Sequence, residues 1–312
     1  MSFLGLDVGG TKCRYEWWPD GAAAGGDAPT ARAGVDGDDA VVAALDGAIR
    51  AAASDHGAPD AVVCCVAGLG ERARADEVAA ALGRRAGVPV RVVGDVLAAA
   101  AAGLRAGPGL LLWSGTGSFA VARSAAGELF RSGGRGYAFG DEGSGYDLVR
   151  RAIVGVLRAV DGRGRDTVLT QSLTSAFAAP SPARLGAAAQ GLTPAEVAAR
   201  LPVVVEAFEA GDWLAADVLT HGLRQLVDLG EAAMRQAGLK ARDGLQVKLG
   251  GGVLSDDVLR DGLLRLLQAA LGEAVTVDHL SAGAAARGAA WLAAGWHQGE
   301  EPQRGWVDDV AL

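Results

Sequence analysis

Two short apolar runs, each leading into a turn rich in glycine and threonine, constrain this chain more than any other feature. The first run enters Asp7-Val8-Gly9-Gly10-Thr11-Lys12, and the second, in mid-chain, enters Ser114-Gly115-Thr116-Gly117-Ser118. An apolar run that passes through such a turn and returns as a second apolar run is typical of a β-hairpin. Alternating strand and helix patterns follow both hairpins. The sequence therefore predicts two α/β halves, each opened by a hairpin.

The spacing of apolar residues and of glycine and proline breaks places the other elements. In the first half it predicts strands at 3–8, 12–18, 60–66 and 88–93, helices at 38–56, 74–86 and 96–105, and a loop over 19–39. In the second half it predicts strands at 110–113, 119–123, 246–249 and 275–277, a glycine-dense loop over 133–145, a largely helical span over 165–243, and helices at 146–160, 257–270 and 281–294. We expect an N-terminal domain over 1–107, joined by the C-terminal helix at 285–312, and a C-terminal domain over 108–284, with a cleft between them.

The charge balance narrows the class of partner. The 312 residues include 29 Lys and Arg against 37 Asp and Glu, for a net charge of −8, and they contain no basic run. Such a chain is a poor candidate for binding nucleic acid or an anionic membrane surface, although backbone N–H groups can still hold a nucleotide phosphate. Because no apolar stretch of about 20 residues and no basic leader is present, we expect a cytoplasmic protein.

The three cysteines, Cys13, Cys64 and Cys65, do not form a framework. Their number is odd, two are adjacent, and none has metal-ligand spacing. This pattern argues against disulfides and against a zinc or iron–sulfur site. We expect inert buried thiols.

The first turn has the chemistry of a phosphate cradle. Gly9 and Gly10 carry no Cβ, so the backbone can approach a phosphate closely, and Thr11 adds a hydroxyl donor beside Lys12. Asp7, at the end of the strand, is placed to hold Mg²⁺ through water. The alternative is an ordinary hairpin turn.

Two later turns repeat this chemistry. Gly115, Thr116 and Gly117 lie in the second hairpin turn, which offers a second cradle of N–H and hydroxyl donors. Gly250-Gly251-Gly252 separates a predicted strand from a predicted helix, and it gives a flat backbone surface on which a nucleoside can lie. A glycine run alone is common, so the indication comes from the order of the three turns.

Asp95 directly follows an apolar strand and precedes a helix rich in small residues. A carboxylate in this place is suited to act as a general base that takes the proton of an attacking hydroxyl. Asp is also a preferred helix N-cap residue. The two roles do not exclude each other.

The ordered trio of turns resembles the sugar kinase, heat-shock chaperone and actin superfamily over nearly the whole chain. The resemblance implies two ribonuclease H-like domains, an actin/hexokinase-like ATPase fold, facing across a nucleotide cleft. It also implies ATP and Mg²⁺ as cofactors, and Asp95 in the place of the catalytic aspartate. Neither a P-loop nor a Rossmann fingerprint occurs in the required context.

A fourth segment, GGRGYAFGDEGS from Gly133 to Ser144, resembles the GGWGxxxGDEGS loop of N-acetylglucosamine kinases and their BadF/BadG-type relatives. The resemblance implies an amino-sugar substrate, with Asp141 bonding sugar hydroxyls. The other residues that it implies for the sugar site are Gly133, Gly134, Arg135, Thr116 and Asp95. The alternative for Asp141 and for Glu142 is to cap the helix that follows.

Two departures from the family pattern concern the sugar. Arg135 stands where the family has tryptophan, and the stretch 33–37 lacks the family's sugar-binding asparagine. Arg135 could meet the carboxylate of a muramic-type sugar, or it could be a solvated loop residue.

The resemblance thus predicts an ATP-dependent kinase of an amino sugar, N-acetylglucosamine or a close relative. The alternatives are a kinase of glucosamine, N-acetylmuramic acid or a hexose, an ATPase or sugar sensor without kinase activity, an iron–sulfur dehydratase activator, and a ROK-type repressor or kinase. No cysteine follows Cys65, which argues against the activator, and the acidic chain lacks the ROK zinc motif. Relatives are often dimers, so a homodimer is an open expectation.

Overall fold

The computed structural model describes residues 1–9, 12–18, 25–28, 30, 33, 36–69, 71–241, 244–273 and 275–300. These residues form two compact units. Unit 1 comprises Met1–Pro108, Arg123–Phe130 and the described residues from Leu280 onward, and unit 2 comprises Gly109–Ala122 and Arg131–His279. The expected C-terminal domain, 108–284, includes the segment Arg123–Phe130, which the structure groups with unit 1.

Unit 1 contains a five-stranded sheet in the order β3-β2-β1-β4-β5. Strand β1 pairs antiparallel with β2 and parallel with β4, and β4 pairs parallel with β5. Every residue of β4 is buried, which is typical of a parallel strand covered on both faces. The elements are β1 (Phe3–Val8), β2 (Cys13–Trp18), β3 (Gly25–Ala28), α1 (Asp38–His56), β4 (Ala61–Val66), α2 (Arg72–Ala86), β5 (Val90–Gly94) and α3 (Asp95–Leu104).

A last helix, α11 (Ala284–His297), also belongs to unit 1 and packs against β1 and α3 at very short range. A Cβ added at Gly288 would lie 2.9 Å from the Ala102 nitrogen and still closer to the Ala98 oxygen, both in the backbone of α3. A Cβ added at Gly5 of β1 would overlap the backbone of α11 in the same way. Small residues at these positions therefore set the spacing of three elements, and the ion pair between Arg287 and Glu16, at 2.7 Å, ties α11 to β2.

Unit 2 repeats the strand order of the first sheet. Its sheet runs β8-β7-β6-β9-β10, so that β6 takes the place of β1 and β9 takes the place of β4. Strand β6 pairs parallel with β9, and β9 pairs parallel with β10. The strands are β6 (Gly109–Ser114), β7 (Ser118–Arg123), β8 (Leu129–Gly133), β9 (Gln246–Gly250) and β10 (Thr276–His279). The structural repeat expected from the two hairpins is present.

Helices fill the rest of unit 2 and bury a large aliphatic core against β6 and β9. Their N-termini are well capped where the sequence supplies a short polar residue. Asp212 accepts hydrogen bonds from the first-turn nitrogens of α9, and Thr193 forms a capping box with Glu196 on α7. The helices are α4 (Gly145–Val160), α5 (Leu169–Ala176), α6 (Leu185–Gln190), α7 (Pro194–Ala198), α8 (Leu201–Glu209), α9 (Trp213–Gln236) and α10 (Asp257–Leu271).

Two edge strands of the structure differ from the prediction. Strand β3 lies inside the expected loop at 19–39, and β8 precedes the glycine loop. Neither has the composition of a strand on its own, and each forms at the edge of a sheet beside a strong neighbour. The last helix also begins and ends three residues later than the expected 281–294. None of the described helices is long and apolar enough to cross a membrane.

Candidate active site

Two carboxylates lie close together in unit 1. Asp7 is the fifth residue of β1, and Asp95 is the first residue of α3, directly after β5. The pKa of Asp7 is raised to about 7, chiefly by burial and also by the negative charge of Asp95, while the Arg14 guanidinium on β2 acts in the opposite direction. The two side chains therefore form a repelling pair.

Asp95 does not occupy the N-cap position. The cap residue of α3 is Gly94, and no side chain caps this helix. Instead, Oδ1 of Asp95 accepts a hydrogen bond of 3.0 Å from the nitrogen of Val96, inside the first turn. A carboxylate at this place also interacts favourably with the positive end of the helix dipole. These two interactions hold the Asp95 side chain at the N-terminus of α3.

The first turn, residues 9–12, is closed by a hydrogen bond of 2.8 Å from the Gly9 nitrogen to the Lys12 oxygen. The hydroxyl of Thr30 donates to the Gly9 oxygen at 2.8 Å, and the Lys12 side chain is exposed. Gly10 and Thr11, both expected at a phosphate, lie outside the described residues.

The second turn, Ser114–Ser118, connects β6 to β7. Within it, the N–H of Gly115 donates to the Gly117 oxygen at 2.8 Å. The sequence predicts that the hydroxyls of this turn serve as phosphate donors. Both serines are instead buried, and each donates to a backbone carbonyl: Ser114 Oγ to Gly143 at 2.9 Å and Ser118 Oγ to Glu142 at 2.7 Å. Thr116 is thus the one residue of this turn whose hydroxyl is not used in that way.

The third turn, Gly250–Gly252, follows β9 and lies against the second turn. Gly251 has a φ of +93°, and a Cβ there would overlap the backbone of Ser114, so only glycine fits. A Cβ on Gly115 would lie 3.8 Å from the Gly252 nitrogen. The two turns therefore form one continuous backbone surface in unit 2.

The glycine loop, residues 133–145, brings a carboxylate to the second turn. Asp141 adopts a left-handed φ of +56°, which Asp tolerates better than most residues. A Cβ added at Gly117 would lie 2.9 Å from Oδ2 of Asp141, so the carboxylate rests directly on the turn. Gly133 ends β8, Gly134 follows it, and Arg135 is exposed.

Ser144, rather than Asp141 or Glu142, caps the helix after the loop. Its side chain accepts from the nitrogen of Asp147, which corrects the capping alternative. The pattern Ser144-Gly145-Tyr146-Asp147 is a signature of a helix N-terminus, with a cap residue and an acidic residue three positions later. Asp141 therefore does not cap α4.

Asp147 anchors the end of the loop. Its buried carboxylate accepts from the Gly143 nitrogen at 3.1 Å and forms ion pairs of 2.8 Å with both Arg150 and Arg151. Although burial alone would raise it, the pKa of Asp147 is lowered by the hydrogen bonds from Arg151, Arg150 and Gly143. The segment 143–147 is therefore held by several charged contacts.

Glu142 carries an unusual oxygen. Its Oε2 is buried and has no hydrogen-bond partner among the described residues. Glu142 is the residue after Asp141, and its backbone carbonyl accepts a hydrogen bond from Ser118 Oγ. The only role that the sequence suggested for Glu142 was to cap the helix that follows.

The carboxylate pair of unit 1 has the donor chemistry of a magnesium site. Mg²⁺ is usually held by one or two carboxylates together with substrate phosphates and several waters. Asp7 and Asp95 repel each other, and a divalent cation would relieve this repulsion. Within the described part of the chain, no group of three or more His, Cys, Asp and Glu could hold a metal ion by itself.

The cysteines match their expected character. Cys13, Cys64 and Cys65 are buried and free, and burial raises the pKa of Cys13 to about 12. Burial also raises the pKa of the other two thiols. Such thiols are unreactive because the thiolate is disfavoured.

Comparison with known proteins identifies the family of this chain. Residues 4–293 match the BadF/BadG/BcrA/BcrD ATPase family. The N-acetylmuramic acid/N-acetylglucosamine kinase of Clostridium acetobutylicum is 31% identical over 178 residues, which are 56% of this chain and 58% of that protein. The chain thus spans somewhat over half the length of this curated relative.

Solved structures share the fold. A candidate N-acetylglucosamine kinase from Chromobacterium violaceum is 26% identical, with a TM-score of 0.74 and coverage of 93% of this chain and 98% of that chain. A ROK hexokinase from Thermus thermophilus, at 20% identity, has a TM-score of 0.63 and coverage of 96% and 100%. The second likeness shows the fold alone. Together with the two matching sheets, these structures confirm the expected α/β ATPase fold.

Proposed function

Because the chain belongs to the BadF/BadG/BcrA/BcrD ATPase family, we propose that it is an ATP-dependent kinase acting on a hydroxyl of an amino sugar. The observation that carries the proposal is the position of Asp141 on Gly117. A carboxylate that can accept sugar hydroxyls there rests on a turn that can hold phosphate. The Clostridium acetobutylicum relative, named for two amino sugars, supports the substrate class.

Unit 1 supplies the proton acceptor in this proposal. Asp95 takes the proton from the sugar hydroxyl while that oxygen attacks the γ-phosphorus in line, and ADP leaves with the cleaved bond's electrons. The Val96 nitrogen donates to Oδ1 of Asp95 at 3.0 Å and orients this carboxylate at the start of α3. Asp7 would hold Mg²⁺, through water, and the bound ion would neutralise charge on the phosphates.

The three turns are assigned the backbone donors to the nucleotide. The phosphates are assigned to Gly9, Gly10, Thr11 and Lys12 of unit 1, and to Gly115, Thr116 and Gly117 of unit 2. The adenosine is assigned to Gly250, Gly251 and Gly252. The close approach of the second and third turns, with Gly115 beside Gly252 and Gly251 against the Ser114 backbone, supports assigning one nucleotide to both.

The sugar contacts are assigned to Asp141, Gly133, Gly134, Arg135, Thr116 and Asp95, and N-acetylglucosamine or a close relative is the preferred substrate. The guanidinium of Arg135 is exposed and makes no hydrogen bond or ion pair with the described residues. Such a group could pair with the carboxylate of a muramic-type sugar, as charge-assisted bonds of this kind are strong.

The test is ADP release with Mg·ATP across N-acetylglucosamine, glucosamine, N-acetylmannosamine, N-acetylmuramic acid and glucose. The wild type is compared with Asp95→Asn and with a control, Asp76→Asn. Asp76 is exposed, and among the described residues its one ion pair is with Arg72 at 4.0 Å. We expect sugar-dependent turnover in the wild type and the control, and a loss of about 10²- to 10⁴-fold in Asp95→Asn with nucleotide binding retained.

The other outcomes separate the alternatives. Near wild-type turnover in Asp95→Asn would remove this residue as the base. ADP release that no sugar stimulates would indicate an ATPase or a sugar sensor instead of a kinase.

A further inference from the structure

The serine hydroxyls of the second turn are not available to phosphate, because they hold the glycine loop. Ser118 Oγ donates to the Glu142 carbonyl at 2.7 Å, and Ser114 Oγ donates to the Gly143 carbonyl at 2.9 Å. Ser114 and Ser118 are 0% and 1% exposed, so water cannot replace either bond. If the loop moved away from the turn, buried donors and acceptors would lose their partners, which is costly. The turn and this part of the loop must therefore move together.

Asp141 is connected to the second turn, so a movement of that turn would displace it. It directly precedes Glu142, the residue whose carbonyl Ser118 holds, and its carboxylate lies against Gly117. A shift of the second turn would therefore reach Asp141 through one hydrogen bond and one peptide unit.

The far side of the loop is fixed independently. The nitrogen of Gly143 donates to Asp147, and the nitrogen of Gly145 donates to the Gly115 carbonyl at 2.8 Å. Neither bond involves a serine hydroxyl. Removing the Ser118 hydroxyl should thus leave the turn joined to α4 while releasing the Glu142 carbonyl.

We propose that Ser118, supported by Ser114, is a positioning residue that couples nucleotide binding at the second turn to the position of Asp141 in the glycine loop. This inference rests on the proposed function, because it takes the second turn as the phosphate site and Asp141 as the sugar ligand. The role proposed for Ser118 is to link the nucleotide site to the sugar site, which the glycines of the three turns do not do. The occupied turn would set Asp141 in the geometry that the sugar needs.

Amide hydrogen exchange across 136–147, with and without the non-hydrolysable ATP analogue AMPPNP and Mg²⁺, tests the proposal without requiring catalysis. In the wild type we expect saturating nucleotide to slow exchange in this segment by about fivefold or more, a typical size for coupled sites. In Ser118→Ala we expect nucleotide affinity within about threefold of wild type but most of the slowing lost. Equal slowing in the two proteins, or none in the nucleotide-bound wild type, would overturn the proposal.

Three further variants separate coupling from a general loss of stability. Ser118→Thr keeps a hydroxyl donor and should restore the slowing. Ser124→Ala removes another buried hydroxyl, one that accepts from Glu128 in the turn after β7 and makes no bond to the loop, and it should behave as wild type. If Ser118→Ala does not fold, Ser114→Ala carries the same test with a partial loss expected.

The two proposals can fail separately. Nucleotide-dependent slowing that Ser118→Ala abolishes, in a protein that phosphorylates no sugar, would support the coupling and refute the kinase. Kinase activity with slowing that is the same in Ser118→Ala would do the reverse.

Discussion

A single methyl group at residue 288 tests whether α11 sets the spacing of the carboxylate pair. In Gly288→Ala the new Cβ would lie 2.9 Å from the Ala102 nitrogen and closer still to the Ala98 oxygen. These atoms belong to the backbone of α3, so they cannot turn aside as a flexible side chain would. Either α11 or α3 must move by a large part of an ångström before the contact becomes acceptable.

The expected cost follows from two opposing effects. Overpacking of a tight interface typically costs about 1–3 kcal/mol, and a backbone contact of this kind belongs at the upper end of that range. Replacing glycine by alanine inside a helix returns about 1 kcal/mol. We therefore expect the free energy of unfolding to fall by about 2 kcal/mol. Because α3 carries Asp95 and β1 carries Asp7, kcat should fall as well.

Gly47→Ala is the matched control. Gly47 lies inside α1 and is exposed, and no atom lies within 4 Å of its Cβ position. This variant should gain about 0.5–1 kcal/mol, with kcat unchanged. Urea unfolding followed by tryptophan fluorescence, together with steady-state kinetics, measures both effects. If Gly288→Ala were as stable and as active as Gly47→Ala, the spacing argument would be refuted.

Two further predictions concern charge. Because the pKa of Asp7 is raised from 3.8 to about 7 in the folded protein, the unfolded chain loses this proton first, and stability falls progressively as pH rises from about 4 to about 7, by at most about 4 kcal/mol. Asp7→Asn should therefore have a Tm that gains on wild type between pH 5 and pH 8, measured without nucleotide or metal. Arg135→Gln should raise the KM for N-acetylmuramic acid several-fold and leave that for N-acetylglucosamine unchanged, measured by coupled ADP release.

Each of these has a clear contrary result. A Tm difference between Asp7→Asn and wild type that is constant from pH 5 to pH 8 would contradict the raised pKa, and the exposed Asp76→Asn serves as its control. Equal changes in KM for the two sugars would show that Arg135 does not meet a carboxylate.

The sequence was sufficient for the elements whose signals are local. Helix α1 begins and ends where the sequence predicts, because acidic residues open it and Gly57 ends it. Strands β1, β4 and β6 are buried on both faces, and their apolar runs are unambiguous. The ATPase fold, expected from the ordered turns, and the family, expected from the glycine loop, are confirmed.

What the sequence did not predict depends on contacts between distant segments. Strand β3, with the residues GGDA, forms through its pairing with β2 and has little strand propensity of its own. The use of Ser114 and Ser118 by the glycine loop joins residues 24 to 29 positions apart, and no local pattern reports it. Asp147 was likewise missed, although its spacing from Ser144 was a usable sign.

One end of the glycine loop is bonded to buried groups and the other is exposed, and this has a consequence for protein engineering. Residues 142–145 are bonded to the second turn and to α4, whereas 135–139 are exposed, with Phe139 at 92%. A library of substitutions confined to 135–139 could therefore retune substrate preference while leaving the core and the nucleotide surface untouched.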